Sequence, residues 1–108
     1  MAPVIRLEYD NASLDDSSAE TLAKAVRDIV SEETKIADVF VYGNSSNIKI
    51  QTAPIEIFIE MSAPKIIDPD DLMARIKSRI QKWKTDTNFP TPINLTLIPM
   101  NWKVEIGI

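Results

Sequence analysis

Residues 54–62, PIEIFIEMS, form the longest regular alternation in the chain. One side of this segment is entirely apolar: Ile55, Ile57, Ile59 and Met61. A period of two is typical of a strand with one buried face. Phe58 lies between two glutamates on the opposite side, so we expect that second face to be partly covered too. The segment predicts a sheet, and the neighbouring segments indicate what packs against it.

A helix is predicted on the amino-terminal side of this strand. The sequence SSAE has the form of a capping box, with Ser17 as the N-cap and Glu20 three residues later. Apolar residues then recur at helical spacing at Leu22, Val26, Ile29 and Val30. We therefore expect the first helix to run from about Ser18 to Glu33.

A second helix is predicted on the carboxyl-terminal side. In DPDD, Asp68 can cap the helix and Pro69 suits its first position. The apolar stripe that follows consists of Leu72, Ile76, Ile80 and Trp83. Each helix has one apolar stripe, so we expect both to cover the same face of the sheet.

Two kinds of charged cluster accompany these helices. Basic residues crowd the later turns of the second helix: Arg75, Lys77, Arg79, Lys82 and Lys84. They could form an anion site, but a solvated face that complements the helix dipole is the favoured interpretation. The acidic pairs at Asp15–Asp16 and Asp70–Asp71 stand at helix starts, where capping explains them better than a divalent metal does. No metal site is predicted.

The remaining apolar segments predict further strands. They are PVIRLEYD at 3–10, DVFVYG at 38–43, a brief IKI at 48–50, INLTLIP at 93–99 and NWKVEIGI at 101–108. DVFVYG reads as buried on both faces. The order predicts an α+β fold: two β-α-β units in one mixed four-stranded sheet, both helices on one face, and a short carboxyl-terminal strand. Crossovers through helices require parallel pairs within each unit.

This arrangement leaves apolar surface without a cover. Val4, Phe58 and Ile98 would lie on the sheet face that no helix covers. The chain as given also ends on Ile108, at the tip of an alternating apolar segment, which invites pairing with another chain. Burying such groups is favourable by about 25 cal/mol per Å². We therefore expect a homo-oligomer in which the last strand extends a neighbour's sheet.

Composition narrows the classes of function. With 108 residues the chain predicts one domain over 1–108. The net charge of −4 argues against nucleic acid and anionic membranes as partners. Without cysteine or histidine, thiol chemistry and the commonest metal ligand are excluded, and no cofactor is predicted. No apolar stretch is long enough for a membrane helix and none has the form of a signal peptide, so a cytoplasmic location is expected.

Three short motifs carry a resemblance to a known family. They are PVI at 3–5, API at 53–55 and LIPMNW at 97–102. Together with the order of elements, they resemble the tautomerase superfamily, in the branch of macrophage migration inhibitory factor and the carboxymethyl-hydroxymuconate isomerases. The resemblance implies a homotrimer with its active site at the subunit interface. It also implies an amino-terminal proline that acts as base on a small keto acid.

The resemblance places specific residues in that site. Pro3 falls where the family's terminal proline lies, and Lys35 falls near a lysine that binds the substrate carboxylate. Ala63 matches a position that contributes a backbone amide. Thr96 falls near an active-site asparagine, so that role is not carried over. Arg6, on the strand that begins at Pro3, is a second candidate anchor for the carboxylate, although the family pattern does not mark it.

Ala2 decides what Pro3 can do. A free terminal proline is a secondary amine, whereas Pro3 bonded to Ala2 is an amide whose nitrogen can be neither base nor acid. Ala2 is removed, or is absent from the natural protein, or the protein is a non-catalytic member. The hypotheses are therefore a tautomerase-like isomerase, a non-catalytic trimer that binds or scaffolds, and a ferredoxin-like ligand-binding module.

Overall fold

The computed structural model describes residues 2–108 as two helices and four strands in β-α-β-β-α-β order. The elements are β1 (Val4–Tyr9), α1 (Asp16–Thr34), β2 (Phe40–Asn44), β3 (Ile55–Ser62), α2 (Pro69–Thr87) and β4 (Asn94–Met100). A short 3₁₀ turn, Ala63–Lys65, follows β3 directly. The two predicted helices and the predicted central strand are thus present.

The four strands form one mixed sheet in the order β2-β1-β3-β4. β1 pairs in parallel with β2 and antiparallel with β3, and β3 pairs in parallel with β4. Each β-α-β unit therefore keeps its two strands side by side. In a ferredoxin-like fold another strand separates the parallel pair of each unit. The predicted α+β architecture is confirmed, and the ferredoxin-like alternative is not observed.

Both helices cover the same face of the sheet, and the core lies between them. The sheet contributes Ile5, Leu7, Ile55, Ile57, Ile59 and Met61. The helices contribute Leu22, Val26, Ile29, Val30, Leu72, Ile76 and Ile80. The periodicity therefore identified most of the core, but Trp83 of the predicted stripe on α2 is only partly buried. Neither helix within residues 2–108 has an apolar run long enough to cross a bilayer.

The first helix begins earlier than predicted because a different residue caps it. The Asp15 carboxylate accepts a hydrogen bond of 2.7 Å from the Ser18 backbone N–H, so Asp15 is the N-cap and Ser17 lies inside α1. Carboxylate and hydroxyl oxygens both cap helices, and the charged acceptor forms the stronger bond. At α2 the expected cap is confirmed, with Asp68 accepting from the Asp71 N–H at 3.1 Å.

Two strand predictions in the middle of the chain are wrong. β2 was expected to be buried on both faces, but it is an edge strand, with Phe40 and Tyr42 53% and 57% exposed. The segment at 48–50 forms no strand, and Ile48 and Ile50 are almost fully exposed. β-Branched and aromatic composition signals a strand but not how many neighbours that strand has.

The predicted carboxyl-terminal strand is also absent. β4 ends at Met100, and residues 101–108 have no regular secondary structure. A strand exists only where another strand completes its hydrogen bonds, and none of the four strands within residues 2–108 pairs with this segment. Val104, Ile106 and Ile108 are consequently 52%, 89% and 106% exposed. We call residues 101–108 the carboxyl tail.

The basic residues of α2 mostly pair with acidic groups. Arg75 Nη1 lies 2.7 Å from Glu33 Oε1 of α1, and Arg79 Nη1 lies 2.6 Å from Glu32 Oε2. Lys82 pairs with Asp86 one turn further along α2. The hydrogen bond from Arg75 is the main reason why the pKa of Glu33 is lowered. These contacts support the interpretation of a charged outer face over that of an anion site.

Packing predicts the effect of shortening a core side chain. Ile57 is fully buried, so Ile57→Ala should lower the free energy of unfolding by about 2–5 kcal/mol and Ile57→Val by about 0.5–1.5 kcal/mol. Urea denaturation measures both. Ile67 is fully exposed, and Ile67→Ala is the matched control, expected within about 0.5 kcal/mol of wild type. Equal losses at the two positions would contradict the placement of the core.

The ion pairs between the helices predict a pH effect. The pKa of Glu33 is lower in the folded chain, so its contribution to stability is present above the usual glutamate pKa of about 4.3 and is lost as the pH falls. Glu33→Gln should therefore be less stable than wild type at pH 7, and the difference should shrink on acidification. Denaturation at pH 7 and pH 3 tests this.

The control for this prediction is Glu20→Gln. Glu20 pairs with Lys24 within α1, but both side chains are more than 60% exposed. Exposed pairs of this kind add little to stability. If Glu20→Gln and Glu33→Gln show the same pH dependence, the interhelical pairs are not its source.

Candidate active site at the amino end of β1

Strand direction brings three parts of the chain to the amino end of β1. β2 is parallel to β1, and Val4 is opposite Phe40, so the start of β2 and the end of α1 reach this edge. β3 is antiparallel, and Val4 is opposite Glu60, so the end of β3 and its 3₁₀ turn reach it from the other side. Pro3 lies where these parts meet.

Pro3 is held firmly at this edge. It is less than 2% exposed, and its carbonyl oxygen accepts a hydrogen bond of 3.1 Å from the Phe40 N–H. Its nitrogen is bonded to Ala2, which is partly buried. In this form the Pro3 nitrogen is a tertiary amide without a proton or a free electron pair.

A cleft of about 620 Å³ opens beside Pro3. Its walls are mainly apolar and come from four parts of the chain: Ala2 and Val4, Ile36 and Ala37 after α1, Phe40 of β2, and Trp102, Val104 and Ile106 of the carboxyl tail. Two charged residues, Asp38 and Lys65, complete the lining. The apolar walls could hold the body of a small molecule, with Lys65 able to bind an anionic group and Asp38 a cationic one.

Lys65 is the cation of this cleft. It is exposed, and within residues 2–108 no carboxylate lies close enough to form an ion pair with it. Sequence reasoning missed Lys65, because SAPK reads as a linker between a strand and a helix. The signal that could have identified it is the antiparallel pairing of β1 and β3, which brings whatever follows β3 next to Pro3.

Lys35 and Ala63 lie near the cleft without lining it. Lys35 is the exposed carboxyl cap of α1, in a left-handed conformation with φ 58°, and directly precedes Ile36 of the cleft wall. Ala63 begins the 3₁₀ turn that carries Lys65, and its carbonyl accepts a bond from the Ile66 N–H. The structure therefore places Pro3, Lys35 and Ala63 at one edge of the sheet, and their roles in a site stay predictions.

Arg6 is the candidate that the structure places elsewhere. Its Nε donates to Glu60 Oε1 at 2.8 Å, and its guanidinium lies 4.8 Å from the centre of the Phe58 ring. These contacts lie on the sheet face that carries no helix, and Arg6 does not line the cleft. Its charge is already compensated, so Arg6 is better suited to ordering this face than to holding a ligand in the cleft.

The wall formed by the tail contains an unsatisfied group. The Trp102 indole N–H is buried and has no acceptor among the described residues. Leaving a buried donor without a partner costs about 1–3 kcal/mol.

Across residues 2–108 no group of three or more acidic side chains is arranged to hold a metal ion.

Solved structures with this fold match nearly the whole chain. The FG41 malonate semialdehyde decarboxylase, inhibited by 3-bromopropiolate, has a TM-score of 0.65 and 15% identity, covering 97% of this chain and 91% of its own. The macrophage migration inhibitory factor-like protein of Entamoeba histolytica has a TM-score of 0.60 and 18% identity, covering 96% and 94%. A 5-carboxymethyl-2-hydroxymuconate delta-isomerase has a TM-score of 0.60 and 8% identity, covering 98% and 89%.

Comparison at the level of sequence does not identify a family for the chain. No family model matches the chain, and no curated protein sequence matches it significantly. The likeness to solved structures, at 8–18% identity for these three, is therefore a likeness of fold. The resemblance first drawn from PVI, API and LIPMNW is confirmed at that level: the chain has the tautomerase-like fold.

Proposed function

We propose that the chain is a tautomerase-like isomerase that moves a proton between the keto and enol forms of a small keto acid. Pro3 is the base in any form of the protein that begins at Pro3. The observation that carries the proposal is the position of Ala2: it is bonded to the Pro3 nitrogen and lines the cleft. Pro3 itself is buried and does not line the cleft, but removal of Ala2 would leave the Pro3 nitrogen where Ala2 now forms part of the wall.

The chemistry of such a terminus suits proton abstraction. A free α-amino group has a pKa of about 7.7–8.0 in peptides. Apolar surroundings disfavour its protonated form, and the cleft walls are mainly apolar. A neutral amine near physiological pH can take the proton next to a ketone and return it to the other end of the enol system.

The substrate's carboxylate would bind to Lys65. Lys65 lies in the cleft without an ion-pair partner, whereas Arg6 is engaged by Glu60. Lys35 at the adjacent end of α1 is the second candidate for this role. The backbone N–H of Ala63, at the start of the same turn as Lys65, is our candidate donor to a substrate oxygen.

A second function is favoured by the state of Pro3 in the chain as given. With Ala2 attached the nitrogen is an amide, and Pro3 is buried. A protein that keeps Ala2 would use the same cleft to bind a ligand without turning it over. The two proposals share a binding site and differ only in the presence of a free amine.

We also propose that the protein is a homotrimer. The carboxyl tail carries three exposed apolar side chains and pairs with no strand in the part of the chain that the structure describes. Phe40 and Tyr42 add exposed aromatic surface on the edge strand β2. A neighbouring copy would cover these groups and could supply the acceptor that the Trp102 N–H lacks. Because Trp102, Val104 and Ile106 line the cleft, assembly would also shape the site.

The isomerase proposal predicts that activity depends on the amino terminus. A protein that begins at Pro3 should tautomerise phenylpyruvate, and its rate should rise with pH as the terminal amine loses its proton. The form with Ala2 should show little or no activity. Pro3→Ala in the protein that begins at residue 3 keeps a primary amine, so activity should fall without disappearing. Equal activity with and without Ala2 would mean that another residue is the base.

Lys65→Ala should weaken substrate binding. Charge-assisted hydrogen bonds are worth about 1.5–3 kcal/mol, so we expect roughly a 10- to 100-fold loss in kcat/KM, mainly through a higher KM. Lys77→Ala removes an exposed lysine from α2 outside this cleft and is the matched control. If the Lys65 and Lys77 variants have equal KM values, Lys65 is not the anchor, and Lys35→Ala becomes the variant to compare.

The trimer proposal predicts that the tail holds the assembly together. Deletion of residues 104–108 should dissociate the protein or make it insoluble, because apolar contacts between copies are lost. Light scattering after size exclusion measures the mass. Ile67→Ser changes an equally exposed apolar residue outside the tail and should leave the mass unchanged. If the wild-type protein is a monomer at micromolar concentration, the trimer proposal is wrong.

A further inference from the structure

We propose that the cleft beside Pro3 selects ligands that carry two opposite charges, a carboxylate at one end and an ammonium group at the other. Asp38 is the residue that sets this preference, and a keto acid with a distal amine is the substrate class that fits it. The inference rests on the proposed function in one respect, since Lys65 is there the anchor of the substrate's carboxylate. The role of Asp38 is independent of whether Pro3 carries a free amine.

Asp38 and Lys65 are the two charged residues among the described residues that line the cleft. Neither forms an ion pair with the other or with any other group within residues 2–108, and Lys35, three residues before Asp38, is not paired with it either. Both Asp38 and Lys65 are exposed, so a ligand in the cleft can reach both charges. The cleft therefore offers a ligand one positive and one negative contact at the same time.

The topology of the sheet places the two charges on opposite sides of β1. Asp38 lies two residues before Phe40, which begins β2 on one side of β1. Lys65 ends the 3₁₀ turn that follows β3, on the other side of β1. Neighbouring strands are about 4.8 Å apart, so the backbones of β2 and β3 are separated by about 10 Å. This separation agrees with the lack of an ion pair between Asp38 and Lys65 and suits a ligand whose charges stand at the two ends of an extended body.

Both charged side chains extend from backbone that the fold holds in place. The N–H of Phe40, two residues after Asp38, donates to the Pro3 carbonyl at 3.1 Å. The side chain of Ile66, directly after Lys65, is buried in the core. The points from which the two side chains extend are therefore set before a ligand binds, which reduces the cost of ordering them around it.

The rest of the lining suits an apolar body between the two charged ends. The cleft has a volume of about 620 Å³, and its apolar lining includes Val4, Ile36, Phe40 and Trp102. An aromatic or aliphatic body would cover these side chains while its carboxylate binds Lys65. A distal ammonium group would then be attracted by Asp38, whereas a second carboxylate at the same end would be repelled. Repulsion of the wrong ligand contributes to specificity as much as attraction of the right one does.

The test measures binding rather than turnover, by titration calorimetry at pH 7 and low salt with the chain as given. The probes are three 3-phenylpropanoates, which cannot tautomerise and differ only in the group para to the side chain: aminomethyl, ethyl or carboxyl. We expect the aminomethyl probe to bind about three- to tenfold more tightly than the ethyl probe, since contacts between exposed charges are weak but strengthen where a ligand excludes water. The carboxyl probe should bind more weakly than both.

Three variants assign this ranking to its source. Asp38→Asn should abolish the ranking, because the amide has almost the same size but no charge. Lys65→Ala should weaken all three probes, because each carries the same propanoate group. Asp70→Asn makes the same change of charge at an exposed carboxylate outside the cleft, so it is the matched control and should keep the wild-type ranking.

The wild-type protein also provides a test that depends on no variant. Raising the salt concentration from about 0.1 M to about 1 M shortens the Debye length from about 10 Å to about 3 Å, so the preference for the aminomethyl probe should shrink. If the wild-type protein binds the ethyl probe at least as tightly as the aminomethyl probe, or if Asp38→Asn keeps the wild-type ranking, the inference is wrong. Failure of all three probes to bind would overturn it as well.

The outcome of this test is separate from that of the proposed function. If the protein that begins at Pro3 lacks tautomerase activity while the chain as given prefers the aminomethyl probe, the isomerase proposal is refuted and this inference stands. Tautomerase activity on phenylpyruvate, together with no preference for the aminomethyl probe, would do the reverse.

Discussion

The pairing of β1 with strands of opposite direction on its two sides is the constraint on which the rest of the structure depends. β2 runs parallel to β1 because α1 carries the chain back before β2 begins. β3 runs antiparallel, so its end returns to the start of β1. These two pairings alone bring the end of α1, the start of β2 and the turn after β3 to Pro3. Both helices cover one face of this sheet, where the apolar stripes of sheet and helices meet.

This arrangement places the two basic candidates for binding an anion, Arg6 and Lys65, in different surroundings. Arg6 lies on the uncovered face. There it forms an ion pair with Glu60, and its guanidinium lies over the Phe58 ring. Lys65 lies at the edge, in a mainly apolar cleft that also contains Asp38, but it forms no ion pair within residues 2–108. A cation without a partner can be neutralised by a ligand, whereas a paired cation must first give up its ion pair. The comparison favours Lys65 as the residue that would recognise an anion, although Arg6 is much closer to Pro3 in sequence.

Most of the fold was predictable because it depends on patterns within single segments. Period two identified β1, β3 and β4, and helical spacing identified α1 and α2 with their buried residues. The start of α1 was predicted wrongly because Asp15 and Ser17 are both suitable N-cap residues. Ser17 was expected, but Asp15 is the cap. The errors at β2, at residues 48–50 and in the carboxyl tail have another origin. Alternation and β propensity show that a segment suits a strand, but only a neighbouring strand can complete its hydrogen bonds.

The sequence by itself determined the α+β class and most of the core residues, because both follow from residue types and their spacing along the chain. It also showed that cysteine and histidine side chains are absent from these 108 residues and that a proline stands at position 3. The resemblance to a known family, and not a pattern in the residues, pointed to Lys35 and Ala63, both near the cleft edge. Only the tertiary structure decided that Lys65 lines the cleft, that Arg6 is already paired, and that Pro3 is buried behind Ala2. Those facts depend on which strands become neighbours and in which direction they run. Contacts between residues about sixty positions apart leave no local pattern from which they could be read.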